Sequence, residues 1–355
     1  MIPFHDYPFG VIEGYFGRQW DWSCRRAYAG FLREHGFNTY VYAPKNDVHL
    51  RKEWQQLHPE EEFRQLVSLR EHYREAKVAF GIGLSPYALY RDFSPANQRL
   101  LSRKLEQLNA LHLDLLCILF DDMPGDFPEL ATQQLRIVDF IVALSNARRY
   151  AVCPTYYSDD PALIQYFGAP PPGYLRELGA GLDRSHLLFW TGPKVISHDY
   201  PAEHLHAVSE RFGRKPLLWD NYPVNDAKRL TPFLHLAPAA GRDPAVLRAH
   251  CSGHLCNPMN EGHLSQLALH ALAQHYRNDR PSTIDDALHQ LCSPALALLL
   301  TRDAERFQHQ GLEKLDEATR QVLMAEYSML DDEPMAREVV AWLRGEYVFD
   351  PACLT

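Results

Sequence analysis

Leu113-Asp114-Leu115-Leu116-Cys117-Ile118-Leu119-Phe120-Asp121-Asp122-Met123-Pro124-Gly125-Asp126 is the stretch on which the reading of this chain turns. A short apolar run ends abruptly in two adjacent aspartates. Pro124, Gly125 and Asp126 then enforce a loop. The run reads as a buried strand, and it sets two like charges side by side at its end. Such charges repel, and one or both lose hydration. Crowded carboxylates are pushed toward different pKa values, which is what acid/base chemistry requires. The same residues also suit a plain loop-capping surface pair, so the motif alone leaves both meanings open.

Outward from this strand, short apolar runs alternate with longer amphipathic stretches. Phe9 to Gly14 reads as the first strand, followed by a helix from Trp22 to Glu34. Asn38 to Ala43 is the second, with a helix from Glu60 to Ala76. Val78 to Gly83 is the third, and its helix begins beyond Pro95 and runs to Leu111. The aspartate strand is the fourth, with a helix from Pro128 to Asn146. Tyr150 to Thr155, Leu187 to Trp190 and Pro216 to Asn221 follow as strands, with a helix from Ala202 to Phe212. A weaker eighth strand near His250 to Cys256 precedes a helix from Glu261 to Tyr276. Alternating strands and helices imply parallel strands with helical crossovers. Eight such units predict an α/β fold, a closed (β/α)8 TIM-type barrel.

The pattern changes after Arg280. Pro281-Ser282-Thr283 looks like a helix start with Asp285 and Asp286 in its first turn, and helical patterning continues to Tyr347 with breaks at Pro294 and Pro334. The expected domains are a catalytic barrel over residues 1–279 and a small C-terminal all-helical appendage over 280–355. Ala295 to Leu300 is apolar on every side, which predicts burial against the barrel or a second subunit. A homodimer through the helical C-terminal region is the matching expectation.

Composition narrows the function. A chain of 355 residues, 46% hydrophobic, can bury a large core. Its net charge of -9 comes with no basic run, which argues against nucleic acid and anionic membranes as partners. The cysteine count is seven, with no CxxC pair, and Cys117 and Cys153 sit in apolar runs. Reduced thiols and a cytoplasmic setting follow. Met1 to Asp6 lacks the charged start of a signal peptide, and no apolar segment is long enough to span a membrane. His250, Cys251, His254 and Cys256 lie close together but fit no zinc template, and HExxH, GxSxG and Walker motifs are absent. Neither a metal nor a cofactor is expected.

In a barrel of this type, chemistry sits at the carboxyl ends of the strands. The unusual residues collect there: Gly14 and Gly17 after the first strand, Lys45 after the second, Asp121 and Asp122 after the fourth, and Tyr156 and Tyr157 after the fifth. Trp190 and Lys194 follow at the sixth, Trp219, Asn221, Asn225 and Asp226 at the seventh, and Asn257 at the eighth. Each has an ordinary explanation: a surface lysine, core tryptophans, a turn-forming asparagine, glycines serving the backbone. Their shared position at one end is what sets them apart. Aromatic faces beside hydrogen-bonding Asp, Asn and Lys suit a sugar ring.

Six segments, in order, resemble glycoside hydrolase family 84, the O-GlcNAcase and bacterial β-N-acetylglucosaminidase family. They are GVIEGYFGRQW (Gly10 to Trp20), NTYVYAPKND (Asn38 to Asp47), LFDDMPGD (Leu119 to Asp126), WTGPKVIS (Trp190 to Ser197), WDNYPVND (Trp219 to Asp226) and CNPMNEGHLSQLALH (Cys256 to His270). The resemblance implies a retaining exo-β-N-acetylglucosaminidase acting on an N-acetylglucosamine-bearing glycoside or glycoprotein. Hydrolysis would be substrate-assisted, through an oxazoline formed by the 2-acetamido oxygen. By the same resemblance, Asp121 would orient the acetamide and Asp122 would be general acid, then base. Gly14 would approach the sugar through its carbonyl, and Lys45 would contact O3 or the acetamide side. Tyr157 would lie near the reacting centre. Asn221 would hold Asp121 and the acetamide, Asp226 would bind O4 and O6, Asn257 a hydroxyl at the far edge, and Trp219 would wall the pocket. Two departures stand out. Tyr156 replaces an acid found in the animal enzymes, and the helical tail has no matching motif. A hyaluronidase-type endo-hexosaminidase and a non-catalytic glycan-binding barrel are the alternatives.

Overall fold

The computed structural model describes residues 7–278 and 282–353. Its eight strands are β1 (Phe9–Ile12), β2 (Thr39–Tyr42), β3 (Ala79–Leu84), β4 (Leu115–Leu119), β5 (Tyr150–Cys153), β6 (Leu187–Trp190), β7 (Leu217–Asp220) and β8 (Gly253–Cys256). They pair in parallel in sequence order, and β1 pairs with β8, so the barrel closes. β4 is apolar and fully buried throughout, as a strand sandwiched between barrel interior and helices must be. Pairing continues one residue past it, where Phe120 N donates to Cys153 O at 2.9 Å. Asp121 and Asp122 therefore emerge directly at the carboxyl end.

The surrounding helices are α1 (Trp22–Glu34), α2 (Glu60–Ala76), α3 (Pro95–Asn109), α4 (Leu130–Leu144), α5 (Pro161–Phe167), α6 (Tyr174–Gly181), α7 (Ala202–Phe212), α8 (Pro244–His250) and α9 (Gly262–Asn278). Three of them, α1, α2 and α7, have the bounds that periodicity predicts. The sequence reading lacks α5, α6 and α8, and the reason is length. Helices of two turns carry too few apolar repeats to reveal a period. Local chemistry starts two of them: Asp160 and Asp243 accept backbone N–H groups ahead of a proline in the first turn.

Four more helices follow: α10 (Ile284–Leu291), α11 (Pro294–Glu305), α12 (Glu317–Ser328) and α13 (Pro334–Leu343). Pro294 and Pro334, read as breaks, are the first residues of α11 and α13, where a missing N–H costs nothing. Thr283 and Asp286 form a reciprocal cap on α10. These helices pack a second apolar cluster around Leu300, Phe307, Tyr327 and Trp342. The cluster also contains Leu234, Leu236, Met259, Leu264 and Leu267, so the tail shares its core with the end of the barrel.

The run Ala295 to Leu300 is not buried all round: Leu296, Ala297 and Leu300 face this core, whereas Leu298 is 72% exposed. The expected boundary at 279/280, Pro281 in the predicted helix start, and Met1 to Asp6 lie outside the described residues. Among the described residues, no helix is long and apolar enough to cross a membrane. No disulfide joins any of the cysteines.

Candidate active site

The nine residues to which the resemblance gives a role (Gly14, Lys45, Asp121, Asp122, Tyr157, Trp219, Asn221, Asp226 and Asn257) all line one cavity at the carboxyl end of the barrel, whereas Gly17, Tyr156, Trp190, Lys194 and Asn225, also gathered at the strand ends, are not part of its lining. Counted to its open mouth, that space is about 480 Å³. Pockets of this size hold a single small ligand.

Asp121 is almost fully buried, and Lys45 Nζ pairs with its Oδ2. Its Oδ1 is buried with no hydrogen-bond partner among the described residues. A buried carboxylate oxygen left open is costly unless a ligand supplies a donor. Lys45 also lies 5.5 Å from the centroid of the Trp219 ring, so ammonium, indole and carboxylate stack in one wall.

Asp122 adopts a left-handed backbone, φ 54°. Aspartate tolerates that region better than most residues, but the conformation must still be held. Arg51 holds it, donating to the carbonyl of Asp122 at 3.0 Å and to that of Asp121 at 3.4 Å. The Tyr157 hydroxyl donates to Asp122 Oδ1 at 2.8 Å. Burial, then the charge of Asp121, pushes the Asp122 carboxyl above the ordinary range, against the pull of Lys45, Arg51 and Tyr157. The pair is thus asymmetric. One member is bound by a cation, and the other is biased toward its acid form.

Next to Trp219 the wall continues as a chain of amides. Gly14 N donates to Asn257 Oδ1 at 3.0 Å, Asn257 Nδ2 donates to Asn221 Oδ1 at 3.0 Å, and Trp219 Nε1 donates to that same oxygen at 3.0 Å. Asn221 Nδ2 in turn donates to Val195 O at 2.7 Å. Position 14 requires glycine here, because a Cβ would stand 2.1 Å from the Trp219 ring. Asn221 was expected to hold Asp121. Its amide is committed to Trp219, Asn257 and Val195, and the bond to Asp121 comes from Lys45 instead.

Behind Asn221, the carboxylate of Asp220 is bound by Arg242 at 2.7 Å and His254 at 3.0 Å. His254 and Cys256, from the cysteine–histidine cluster of the sequence, come together with Asp220, whereas His250 and Cys251 do not join them. With Asp220 already neutralised by a guanidinium, the group reads as a brace for the end of β7.

Asp226 Oδ2 accepts from Phe16 N at 2.8 Å. Burial pushes its carboxyl up to about 6. The folded value exceeds the unfolded one, so the contribution of this one group to stability is fully present below the unfolded value and is lost as pH rises through about 6. Asp226→Asn keeps an acceptor for Phe16 and removes the buried charge. It should stabilise the protein by about 3 kcal/mol at neutral pH and by little near pH 4. Thermal melts across that pH range check this, and equal melting shifts at both ends would contradict it.

Several lining residues were not singled out from the sequence. Phe16, Val195, Ile196 and Val224 lie inside the quoted motifs, but nothing local marked them as contacts. Cys353 comes from the tail. The tail reaches the cavity along the first two loops: Glu346 pairs with Arg18 at 2.9 Å, and Asp350 accepts from Asn46 Nδ2 at 2.9 Å. Tyr156, the departure noted above, lies outside the lining and donates to Gly168 O at 2.6 Å, so it does not alter the cavity. Trp190 is a core residue, its indole N–H bound to His204 at 3.0 Å.

Fold and cavity define the class: a (β/α)8 barrel with a carboxylate-centred pocket at its carboxyl face. The sequence profile of the beta-N-acetylglucosaminidase family matches residues 9–308. The chain is 32% identical over 279 residues to Protein O-GlcNAcase of Rattus norvegicus and, equally, of Mus musculus. Those matches cover 76% of this chain but 30% of the relatives, so the chain spans under a third of their length. A solved structure of an O-GlcNAc hydrolase mutant from Thermobaculum terrenum superposes with TM-score 0.76 and 27% identity, covering 96% of this chain and 81% of that one. The chain belongs to the beta-N-acetylglucosaminidase family, glycoside hydrolase family 84.

Proposed function

We propose that this protein is a retaining exo-β-N-acetylglucosaminidase that removes terminal β-linked N-acetylglucosamine by substrate-assisted hydrolysis. The observation that carries the reading is the asymmetry of the aspartate pair. Asp121 has one oxygen bound by Lys45 and the other open, whereas Asp122 is biased toward its acid form and held by Tyr157. Family membership and the O-GlcNAcase names of the relatives support the sugar and the reaction class.

In the first step, the open oxygen of Asp121 accepts the acetamide N–H. This sharpens the carbonyl oxygen as nucleophile and balances the positive charge that grows on the ring it forms. The acetamide oxygen attacks C1, the bond to the leaving oxygen breaks, and Asp122 gives that oxygen its proton. In the second step, Asp122 takes a proton from water, the water oxygen attacks C1, and the oxazoline reopens with the β-configuration restored. Trp219 and Gly14 wall the ring, and Asp226 reads its distal hydroxyls. The substrate is an N-acetylglucosamine-bearing glycoside or glycoprotein, and reduced cysteines suit a cytoplasmic setting.

The test compares an aryl β-N-acetylglucosaminide with the corresponding β-glucoside. Intramolecular nucleophiles are worth large effective molarities, so loss of the acetamide should cost at least about 10³-fold in kcat/KM. Comparable cleavage of the glucoside would mean that the enzyme supplies its own nucleophile.

A further inference from the structure

A buried polar chain stands behind Asp226 and takes no part in the steps above. Asp226 Oδ2 is bound by Phe16 N at 2.8 Å, and the Phe16 carbonyl is in turn held by Asn260 Nδ2 at 2.8 Å. The same amide nitrogen reaches Arg18 O at 2.8 Å, so Asn260 clamps both sides of the turn at Gly17. That turn needs a clamp: Gly17 sits at φ 89°. Asn260 N donates to Asn225 Oδ1 at 3.3 Å, and Asn225 Nδ2 donates to Glu261 Oε2 at 2.9 Å. Asn225 is the chain neighbour of Asp226, so the links run round to where they began.

Glu261 is the costly member. It is fully buried, its Oε1 has no partner among the described residues, and burial pushes its carboxyl up to about 7. It lies next to the start of α9, where an acid would ordinarily serve as a helix cap. That duty is taken: the first-turn amides of His263 and Leu264 donate to Glu338 at 2.9 and 2.8 Å. The side-chain bond that Glu261 makes goes to Asn225 instead. Among the described residues this buried carboxyl caps no helix and forms no ion pair, so it is retained at a cost, and what it fixes is the position of the asparagine that precedes Asp226 in the chain.

We propose that Glu261 is a positioning residue for sugar recognition: through Asn225 and Asn260 it sets the turn at Phe16 and, with it, the carboxylate of Asp226. The assignment rests on the N-acetylglucosaminidase reading, since it needs Asp226 to face the sugar's distal hydroxyls. Its consequence is specificity. Displacing Asp226 blurs the distinction between N-acetylglucosamine and N-acetylgalactosamine, which differ only at C4, and it acts on binding more than on bond cleavage.

The experiment is steady-state kinetics on aryl glycosides of both sugars, with calorimetric titration of the two free sugars, for wild type, Glu261→Ala, Glu261→Gln and Asn260→Asp. In Glu261→Ala, KM for the N-acetylglucosaminide should rise about tenfold with kcat within about threefold, and the preference over the C4 epimer should fall about tenfold. Glu261→Gln keeps an oxygen for Asn225 and should restore most of both. Asn260→Asp, isosteric but without the donor to Phe16 and Arg18, should reproduce the loss, and it keeps the test alive if the alanine variant does not fold. Unchanged KM and epimer preference in folded Glu261→Ala and Asn260→Asp, even with lowered melting temperatures, overturns the assignment alone. A wild type that neither binds nor distinguishes the two sugars overturns the sugar-site reading, and this assignment with it.

Discussion

Asp122→Asn should lower kcat/KM for N-acetylglucosaminides with poor leaving groups by about 10³-fold, and for those with good leaving groups far less. The logic is proton demand. An alkoxide needs a proton to depart, whereas an activated phenoxide hardly does. Asparagine fills the same volume, tolerates the left-handed backbone at position 122 as well as aspartate does, and leaves Arg51's bonds to the carbonyls intact. A defect therefore reports lost acid, not lost fold. The pH profile supplies a second sign. Burial and the neighbouring Asp121 raise the Asp122 carboxyl, so wild-type activity should fall as pH rises through that raised value. In Asp122→Asn this alkaline limb should vanish. A uniform loss across all leaving groups, with the limb retained, would assign the proton to another residue.

Much of this site was legible because strand ends are legible. Asp121, Asp122 and Lys45 follow apolar runs that read as strands, Asn257 follows a weaker one, and barrel geometry brings those ends together. Helices of three turns or more announced themselves by period, as α1, α2 and α7 show. Contacts made through backbone atoms left no trace. Arg51 holds two carbonyls, and nothing in its neighbourhood of the sequence says so. Asn221 was assigned to Asp121 although it spends its amide on Trp219, Asn257 and Val195. Residue type tells what a side chain can bind but not which of several close partners it takes. The tail is the clearest case: Cys353 lines the cavity, and only the path of Glu346 to Asp350 along the first two loops puts it there.

Asp121→Asn separates positioning of the nucleophile from protonation of the leaving group. The Oδ1 of Asp121 is buried with no donor among the described residues, and in the proposed first step it takes the acetamide N–H. Asparagine can still accept that bond, but it brings no negative charge to meet the positive charge developing on the oxazoline ring. In a site shut off from water such a charge contributes about 3 kcal/mol, so kcat should fall by about 10²- to 10³-fold. The contrast with Asp122→Asn is the diagnostic feature. Ring closure precedes or accompanies departure for every aglycone, so this loss should persist with good leaving groups. A structural cost accompanies it. Lys45 is buried, and its carboxylate partner becomes neutral, which should destabilise the fold by about 3 kcal/mol. Asp121→Asn with Lys45→Met removes both charges; it should recover most of the melting temperature and none of the turnover. Recovery of turnover along with stability would mean that Asp121 serves only to neutralise Lys45, and the acetamide would need another partner.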